Sequence, residues 1–464
     1  MVESPKYRIV SRDYDYSIRE LVPRWESLDL DLKYCDISTC QLTMDTADFI
    51  TYWWDDDKDP GTEGTWLTNY TAGTAKERGT GVIIYRGEDV LPIFNGIITD
   101  VNRVKEAGIS DIVTLTFSSD EILLSDYICY PDCGAGVHPA CTMTGQYEPG
   151  ALTGIWGPYH AGPPAYGDQW EKICQKQETN IKGFLRDNIG GNAVAWRQIT
   201  QLKIEADAGA GVTVCWTGKL NTVLEMAQAM AITENDVSQT YPYDEVRFWI
   251  EQMGTPSAGY CIELKCRQAP RKETNIIFSE KLGTISKIEY EEHRPEVNRM
   301  LVCGPFDNEF RVYAFVTGWW ADLSATMYGS IEGTCDKSDA SGVNRADTLS
   351  IMKTFGFKEV NPKLFNVNAK VTITESNFIK MSPDASTSNF WIGDYVRAEL
   401  DYGFIQDLIR EITIRVDGGG EEITAVVCSS QMANKDWWTM GTRVRGMQRA
   451  IKRLSVNRGT TPGS

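Results

Sequence analysis

Histidine is close to absent from this chain. Three residues, His138, His160 and His293, serve all 464 positions. General acid–base catalysis and metal binding thereby lose their commonest side chain. The short motifs of familiar chemistry are missing as well. There is no H-E-x-x-H, no G-x-S-x-G, no G-x-x-x-x-G-K-S/T and no G-x-G-x-x-G. Gly79-Thr80-Gly81 opens a strand rather than a helix, so it offers no helix N-terminus to a phosphate. No apolar run is long enough to span a bilayer, and the first residues, MVESPKYRIV, hold no apolar signal core. A chain made in the cytosol, without membrane anchoring, is expected. Twelve cysteines in this length are ordinary cytosolic usage, because secreted disulfide scaffolds are smaller and denser.

What remains for chemistry is thin. Cys129, Cys133, His138 and Cys141 form the densest group of potential metal ligands. Three thiols and an imidazole suit tetrahedral zinc, but the spacing C-x3-C-x4-H-x2-C is not the paired C-x2-C of common zinc sites. Free cysteines in a loop are the plainer reading. Cys141 and His160 are the one tempting nucleophile–base set, with no orienting third group in view. Glu291-Glu292 and Glu421-Glu422 are carboxylate pairs, but pairing in sequence says nothing about spacing across a scissile bond. The acidic stretch Asp55 to Gly61 reads as a solvated loop, since it lacks the spacing and distal Glu of a calcium loop. Cys35 and Cys40 flank a turn into a strand and read as packed. The expectation is no catalytic residue, no metal and no cofactor. The chain reads as a non-enzyme.

Tryptophan is plentiful, at 14 residues, with doublets Trp53-Trp54, Trp319-Trp320 and Trp437-Trp438. Such side chains anchor subunit interfaces or bind sugars. The net charge is −18. An acidic surface repels nucleic acid unless basic residues are gathered in one place. They gather once, at Arg443, Arg445, Arg449, Lys452, Arg453 and Arg458, with no acid from Trp437 to Ser464. This is either a solvated tail or a docking arm for an acidic partner.

The length suggests two to four domains. Residues 1–125 read mainly as β: Tyr7 to Val10 is a short strand, Gly81 to Arg86 is a compact β-branched run followed by Asn95 to Val101, and Gln41 to Met44 and Ile112 to Phe117 alternate at period two, which predicts a small barrel or sandwich. Residues 126–168 are rich in Pro, Gly and aromatics and read as an irregular insertion. Residues 169–284 predict a mixed α/β middle. In it, Ile181, Phe184 and Leu185 share a helix face stopped at Gly190, and Leu220, Val223, Leu224 and Ala227 share another. Strands follow at Val246 to Ile250 and Cys261 to Lys265. Residues 285–430 read as β again, with turn-rich inserts near 318 to 365. Residues 431–464 are the basic C-terminal extension.

A faint repeat links the two ends. Asn95 to Val101 leads across a turn to Asp111 to Ser119, and Gln406 to Ile412 leads across Gly418-Gly419-Gly420 to Glu422 to Ser430. The two spans are equal in length. A similar β run precedes each, at Gly81 to Tyr85 and Gly393 to Val396. Two related β-barrels, one at each end of a helix-containing middle, would explain this. The fold class expected is therefore mainly β with an α+β middle.

One resemblance covers most of residues 5 to 430. It runs through Tyr7 to Tyr14, Trp25-Glu26-Ser27-Leu28, Tyr34 to Thr43, Asn95-Gly96-Ile97-Ile98 and Asn188-Ile189-Gly190. It is most specific in Phe278-Ser279-Glu280-Lys281-Leu282-Gly283 and in Pro295-Glu296-Val297-Asn298 through Val302-Cys303-Gly304. In these segments the chain resembles the minor tail proteins of siphophages, a family related to the baseplate hub of contractile tails. The stretches 126–168 and 318–350 depart from the pattern. The resemblance implies two tube-like β-barrels per chain, baseplate-hub-like. It also implies a homotrimer whose pseudo-sixfold ring matches a hexameric tail tube. The implied role is a virion structural component at the tail tip. It would cap the tube around a central channel and let DNA pass. The implied partners are distal tail and tube ring proteins, the tape-measure protein, and other tail-tip or receptor-binding proteins. The channel wall would be acidic and the basic tail would lie away from it. The rival readings are a tail-associated peptidoglycan hydrolase and a carbohydrate-binding receptor module.

Overall fold

A computed structural model describes residues 6–13, 15–53, 80–106, 110–129, 173–193, 197–216, 221–232, 245–255, 259–293, 296–307, 310–317, 329–338, 340, 345–360, 366–375, 379–384, 386, 388–400 and 403–427. The expected insertion at 126–168 lies outside them from residue 130 onward, and the basic extension at 431–464 lies outside them entirely.

The first part holds β1 (Tyr7–Arg12), β2 (Ile18–Val22), β3 (Ser27–Lys33), β4 (Thr39–Asp45), α1 (Thr46–Trp53), β5 (Gly81–Arg86), β6 (Phe94–Glu106), β7 (Ser110–Ser119) and α2 (Ile122–Ser125). The middle holds β8 (Ile173–Lys176), α3 (Gln177–Asn188), β9 (Leu202–Ile204), β10 (Thr213–Trp216), α4 (Val223–Ile232), β11 (Val246–Thr255), β12 (Gly259–Gln268) and β13 (Ile277–Phe278). The last part holds β14 (Ile285–His293), β15 (Arg299–Asp307), β16 (Phe310–Thr317), β17 (Glu332–Asp336), α5 (Arg345–Val360), β18 (Asn366–Ile373), β19 (Lys380–Met381), β20 (Asn389–Phe390), β21 (Tyr395–Leu400), β22 (Gly403–Asp417) and β23 (Gly420–Val427). The fold is mainly β, and its sheets are largely antiparallel.

Period-two alternation builds the largest sheet. In β3, Leu28, Leu30 and Leu32 are buried and the residues between them are not. In β4, Cys40, Leu42 and Met44 do the same. Half-buried strands of this kind pack one face and leave the other open. The sheet runs β14-β18-β23-β22-β3-β4-β7-β6-β5-β1-β2, with β21 and β13 branching from β22. It joins strands from both ends of the chain through the β3–β22 pair. Among the described residues no ladder closes it into a ring.

Both expected middle helices form. Ile181, Phe184 and Leu185 of α3 are buried, and the Leu185 carbonyl accepts the N–H groups of Ile189 and Gly190 at the helix end. In α4, Val223, Leu224 and Ala227 are buried. Leu220 lies outside the described residues. Thr222 and Glu225 cap α4 reciprocally: the Thr222 hydroxyl accepts the Glu225 N–H at 3.1 Å, and the Glu225 carboxylate accepts the Thr222 N–H at 3.1 Å.

The region expected to be a turn-rich insert near 318 to 365 needs correction. It contains β17 and the sixteen-residue helix α5. This helix packs on β15 and β16 around its own hydrophobic core of Met300, Val302, Val316, Ile351 and Met352. Gly356 permits the approach, since a Cβ there would sit 2.6 Å from a Val302 methyl and 2.7 Å from a Val316 methyl. Glycine and the aromatic and β-branched neighbours in Thr354-Phe355-Gly356-Phe357 hide the helix from a propensity reading.

Candidate functional site

Two sets of five strands follow one plan. β3, β4, β7, β6 and β5 lie side by side in that order, each antiparallel to the next. β14, β18, β23, β22 and β21 lie side by side in the same order, again antiparallel throughout. The long hairpins agree in detail. In the first, the register shifts between Ile98–Phe117 and Asp100–Thr116. In the second, it shifts between Ile409–Val427 and Glu411–Val426. The bulge thus falls at equivalent positions, Thr99 and Arg410. Bulges bend a strand and re-aim its side chains, so a shared bulge is a specific shared feature.

The outgoing strands match residue for residue as the sequence repeat aligned them, Ile98 with Ile409 and Asp100 with Glu411. The return strands are one residue off that alignment, because Phe117 corresponds to Val427. Three residues separate Glu106 from Ser110, and two separate Asp417 from Gly420. The bulge was written in the sequence. Ile98 and Val101, like Ile409 and Ile412, are three apart where alternation asks for two.

Among the described residues one strand pair, the seam, joins the two units. β3 pairs antiparallel with the far half of β22, from Glu411–Lys33 to Val416–Leu28. On one face of the seam Leu28, Leu30, Leu32, Ile412 and Ile414 enter the core. The other face carries Asp29, Asp31, Lys33, Glu411, Thr413 and Arg415, none of them fully buried. Arg415 meets Asp29 across the seam at 3.6 Å. Burial and the neighbouring Asp31 push the Glu411 carboxyl up to about 7, against the pull of Lys33 and Lys370. By the same alternation Asp45, Asp100, Glu289 and Glu422 share this face, with Lys287 and Lys370. Acids outnumber bases on it.

Buried charges tie both units to the middle strand β11. Arg410, at the bulge, reaches Glu245 just before β11 with two bonds, 2.7 and 2.8 Å. Arg12 reaches Asp120 with two bonds, 2.8 and 2.7 Å, and Gln252 of β11 at 3.1 Å. Asn95 donates to Asp120 at 2.6 Å and to the Ile250 carbonyl at 3.2 Å. The Ile250 N–H is taken by Glu121 at 2.7 Å. Burial pushes the Glu121 carboxyl up to about 7. A third cluster bridges the units directly. Arg86 of β5 forks onto Glu375 at 2.7 and 2.5 Å and also meets Glu421, which Tyr7 and Lys6 contact as well. Nothing in the sequence patterning singled out these arginines. The one available signal was an arginine in a strand position whose apolar neighbours face inward.

The groups of potential ligands expected from the sequence divide differently. Cys129 is buried, and burial pushes its thiol up to about 12. Its companions Cys133, His138 and Cys141, and also His160, lie outside the described residues. So do Asp55 to Gly61, Trp54, Trp319-Trp320 and Trp437-Trp438. Trp53 is buried and donates to the Gly81 carbonyl at 3.1 Å. Cys35 and Cys40 are packed in the core, and Cys35 takes the Phe248 N–H at 3.4 Å. Glu421 joins the Arg86 cluster, whereas Glu422 stays outside it, on the open face.

No family model and no curated protein matches the chain. Solved structures do. They include phage tail proteins. The tail protein from Neisseria meningitidis MC58 is 10% identical with a TM-score of 0.46, over 91% of this chain and 97% of that one. The 43 kDa tail protein of prophage MuSo2 from Shewanella oneidensis is 10% identical with a TM-score of 0.45, over 91% and 97%. Prophage tail protein gp18 from Listeria monocytogenes EGD-e is 9% identical with a TM-score of 0.43, over 90% and 94%.

Proposed function

We propose that this chain is a structural component of a long-tailed phage virion, a tail-tip hub protein whose copies form a ring that caps the tail tube. The observation that carries the reading is the repeated five-stranded unit with its shared bulge. A ring of three chains offers six similar units to a hexameric tube, so a threefold hub meets a sixfold tube without an adaptor. In this reading the two units are the tube-like β-barrel domains, near 1–125 and 285–430. Strands supplied by neighbouring units and by β1, β2 and β13 complete each wall. The middle at 169–284 holds the two units at a fixed angle through β11.

The open face of the seam is the channel wall. Its excess of Asp and Glu repels DNA and leaves it mobile, whereas a basic wall would hold phosphates by counterion release. The tape-measure protein, the distal tube ring and receptor-binding proteins are the partners this position requires, and DNA is a transient passenger. The small domain of β15, β16, β17 and α5 presents exposed Phe306, Phe310, Tyr313 and Phe315, a surface suited to one of those partners. The basic extension docks away from the channel.

Imaging of assembled tails with this chain labelled tests the position. The label is expected at the tip, around the axis; a label along the tube shaft contradicts the reading. Zymography of the purified chain on cell walls separates it from the peptidoglycan-hydrolase alternative, which requires clearing. Binding to host cell-wall carbohydrate by the isolated chain would favour the receptor module instead.

A further inference from the structure

The seam carries two carboxyl groups whose hydrogen bonds do not close without a proton. Asp31 of β3 and Glu411 of β22 lie diagonally on its open face: Glu411 is opposite Lys33, and Thr413 is opposite Asp31. Diagonal neighbours on paired strands reach one another when a side chain is as long as glutamate. Asp31 Oδ2 meets the Lys33 ammonium at 3.3 Å. Asp31 Oδ1 is out of water and has no donor in reach among the described residues. The Glu411 carboxyl lies within hydrogen-bond reach of Asp31 and is largely buried. Two carboxylates only accept and cannot satisfy each other, whereas a protonated carboxyl donates.

The surroundings suit one negative charge and not two. β3 supplies Lys33, with its side chain 11% exposed. β4 and β23 supply no charge, since Thr39 lies opposite Asp31 and Val426 lies opposite Glu411. β18 supplies Lys370, beyond Val426, but that residue is exposed, so water screens it, and Glu289 of β14 lies opposite it. Asp29 and Arg415 engage each other.

We infer that Asp31 and Glu411 share one proton across the seam, and that this proton fastens the joint between the two repeated units. Glu411 carries it and donates to Asp31 Oδ1, while Asp31 stays ionised against Lys33. Without the proton, two carboxylates meet in a half-buried place beside one near cation, where like charges repel more strongly than in water. Burial and Asp31 hold the Glu411 carboxyl at about 7, above the roughly 4.3 of an unfolded chain. The stabilisation is therefore complete below the unfolded value and is lost as pH rises through about 7. Among the described residues no other strand pair joins the units, so the joint is firm below neutrality and loosened above it. Nothing in this depends on how copies of the chain assemble.

Hydrogen exchange of the full-length chain, corrected for the intrinsic pH dependence of amide exchange, tests the shared proton. In the parent, peptides covering Ser27–Lys33 and Glu411–Val416 are expected to lose protection by about tenfold between about pH 6 and about pH 8.5, the change that a group titrating at about 7 gives over that interval. Glu411→Gln keeps a donor for Asp31 Oδ1 and cannot titrate, so its seam should keep that protection. Asp31→Asn, whose amide donates to Glu411 and lets it ionise, should respond as flatly, and it decides the matter if Glu411→Gln does not fold. Glu411→Ala offers no donor and should exchange faster than Glu411→Gln in the seam at about pH 6. The titration of Glu121 acts on parent and variants alike and drops out of the comparison. A parent whose seam protection is unchanged over the interval overturns the inference. So does a loss that persists at full size in both Glu411→Gln and Asp31→Asn.

Discussion

Arg410 and Glu245 face each other fork to fork, at N–O distances of 2.7 and 2.8 Å, with both side chains almost out of water. The arginine sits on the bulge of the second unit, and the glutamate opens the central strand of the middle. The Arg410 guanidinium also lies 4.6 Å from the Tyr34 ring centre, beside the seam. One contact thus fixes the second unit, the middle and the seam together. Burial opposes the charge on the arginine, and Glu245 outweighs that burial and keeps it charged.

Removing one partner leaves an unpaired buried charge. Arg410→Ala is expected to destabilise the chain by about 3–5 kcal/mol. Replacing both partners by apolar residues of similar volume, Arg410→Met with Glu245→Leu, is expected to recover most of that loss. Chemical denaturation of the three chains checks this. A single variant as stable as the parent would show that the pair does not hold the units.

Glu121 makes stability depend on pH. Burial pushes its carboxyl up to about 7, while an unfolded chain titrates it at about 4.3, as a short peptide does. The folded chain therefore keeps a proton that the unfolded chain gives up between those limits. The stabilisation is complete below the unfolded value and is lost as pH rises through about 7. Glu121→Gln keeps an acceptor for the Ile250 N–H and removes the titration. It is expected to be more stable than the parent at pH 8, by on the order of 1–3 kcal/mol, and to flatten the decline between roughly pH 5 and 8. Melting across that range reads both effects, and an unchanged slope would remove Glu121 as the cause.

Gly356→Ala tests the small domain. The added methyl would press on Val302 and Val316, and the expected loss is about 1–3 kcal/mol. The β15–β17 core is separate from the main one, so that loss should appear as a local transition. Hydrogen exchange should show faster exchange in α5, β15 and β16 with the large sheet unaffected. Equal acceleration everywhere would mean that the two cores unfold together.

What could be read in advance follows the physics of each element. Alternation at period two marked β4 and β7, because one face of each is buried and the other is not, whereas β5 showed as a compact apolar run because both its faces are buried. The repeat between Asn95–Ser119 and Gln406–Ser430 was visible as two hairpins of equal length, whereas the bulge they share was not read from it. The pairing of β3 with β22 was not visible. Nothing local marks which distant strand covers a sheet edge. The α5 helix was missed because its apolar residues are interrupted by Gly356 and β-branched neighbours, and its stability comes from the sheet beneath it. The buried arginines were missed because a charged residue reads as solvated until its partner, far along the chain, is known.

The proposed channel wall makes a prediction about DNA release. Asp29→Lys with Asp31→Lys places cations where the wall reading puts DNA. Tails carrying the variant should assemble but release DNA more slowly, with the deficit shrinking as salt is raised. Release timed by dye uptake on triggered particles checks it. Unchanged release at low salt would mean that this face does not line the path.

The copy number of the chain in purified tails tests the central claim most directly. Quantitative mass measurement against the tube protein is expected to give three chains per tail, hence six repeated units in one ring. Six chains per tail would contradict it, because twelve units cannot match a hexameric tube one to one.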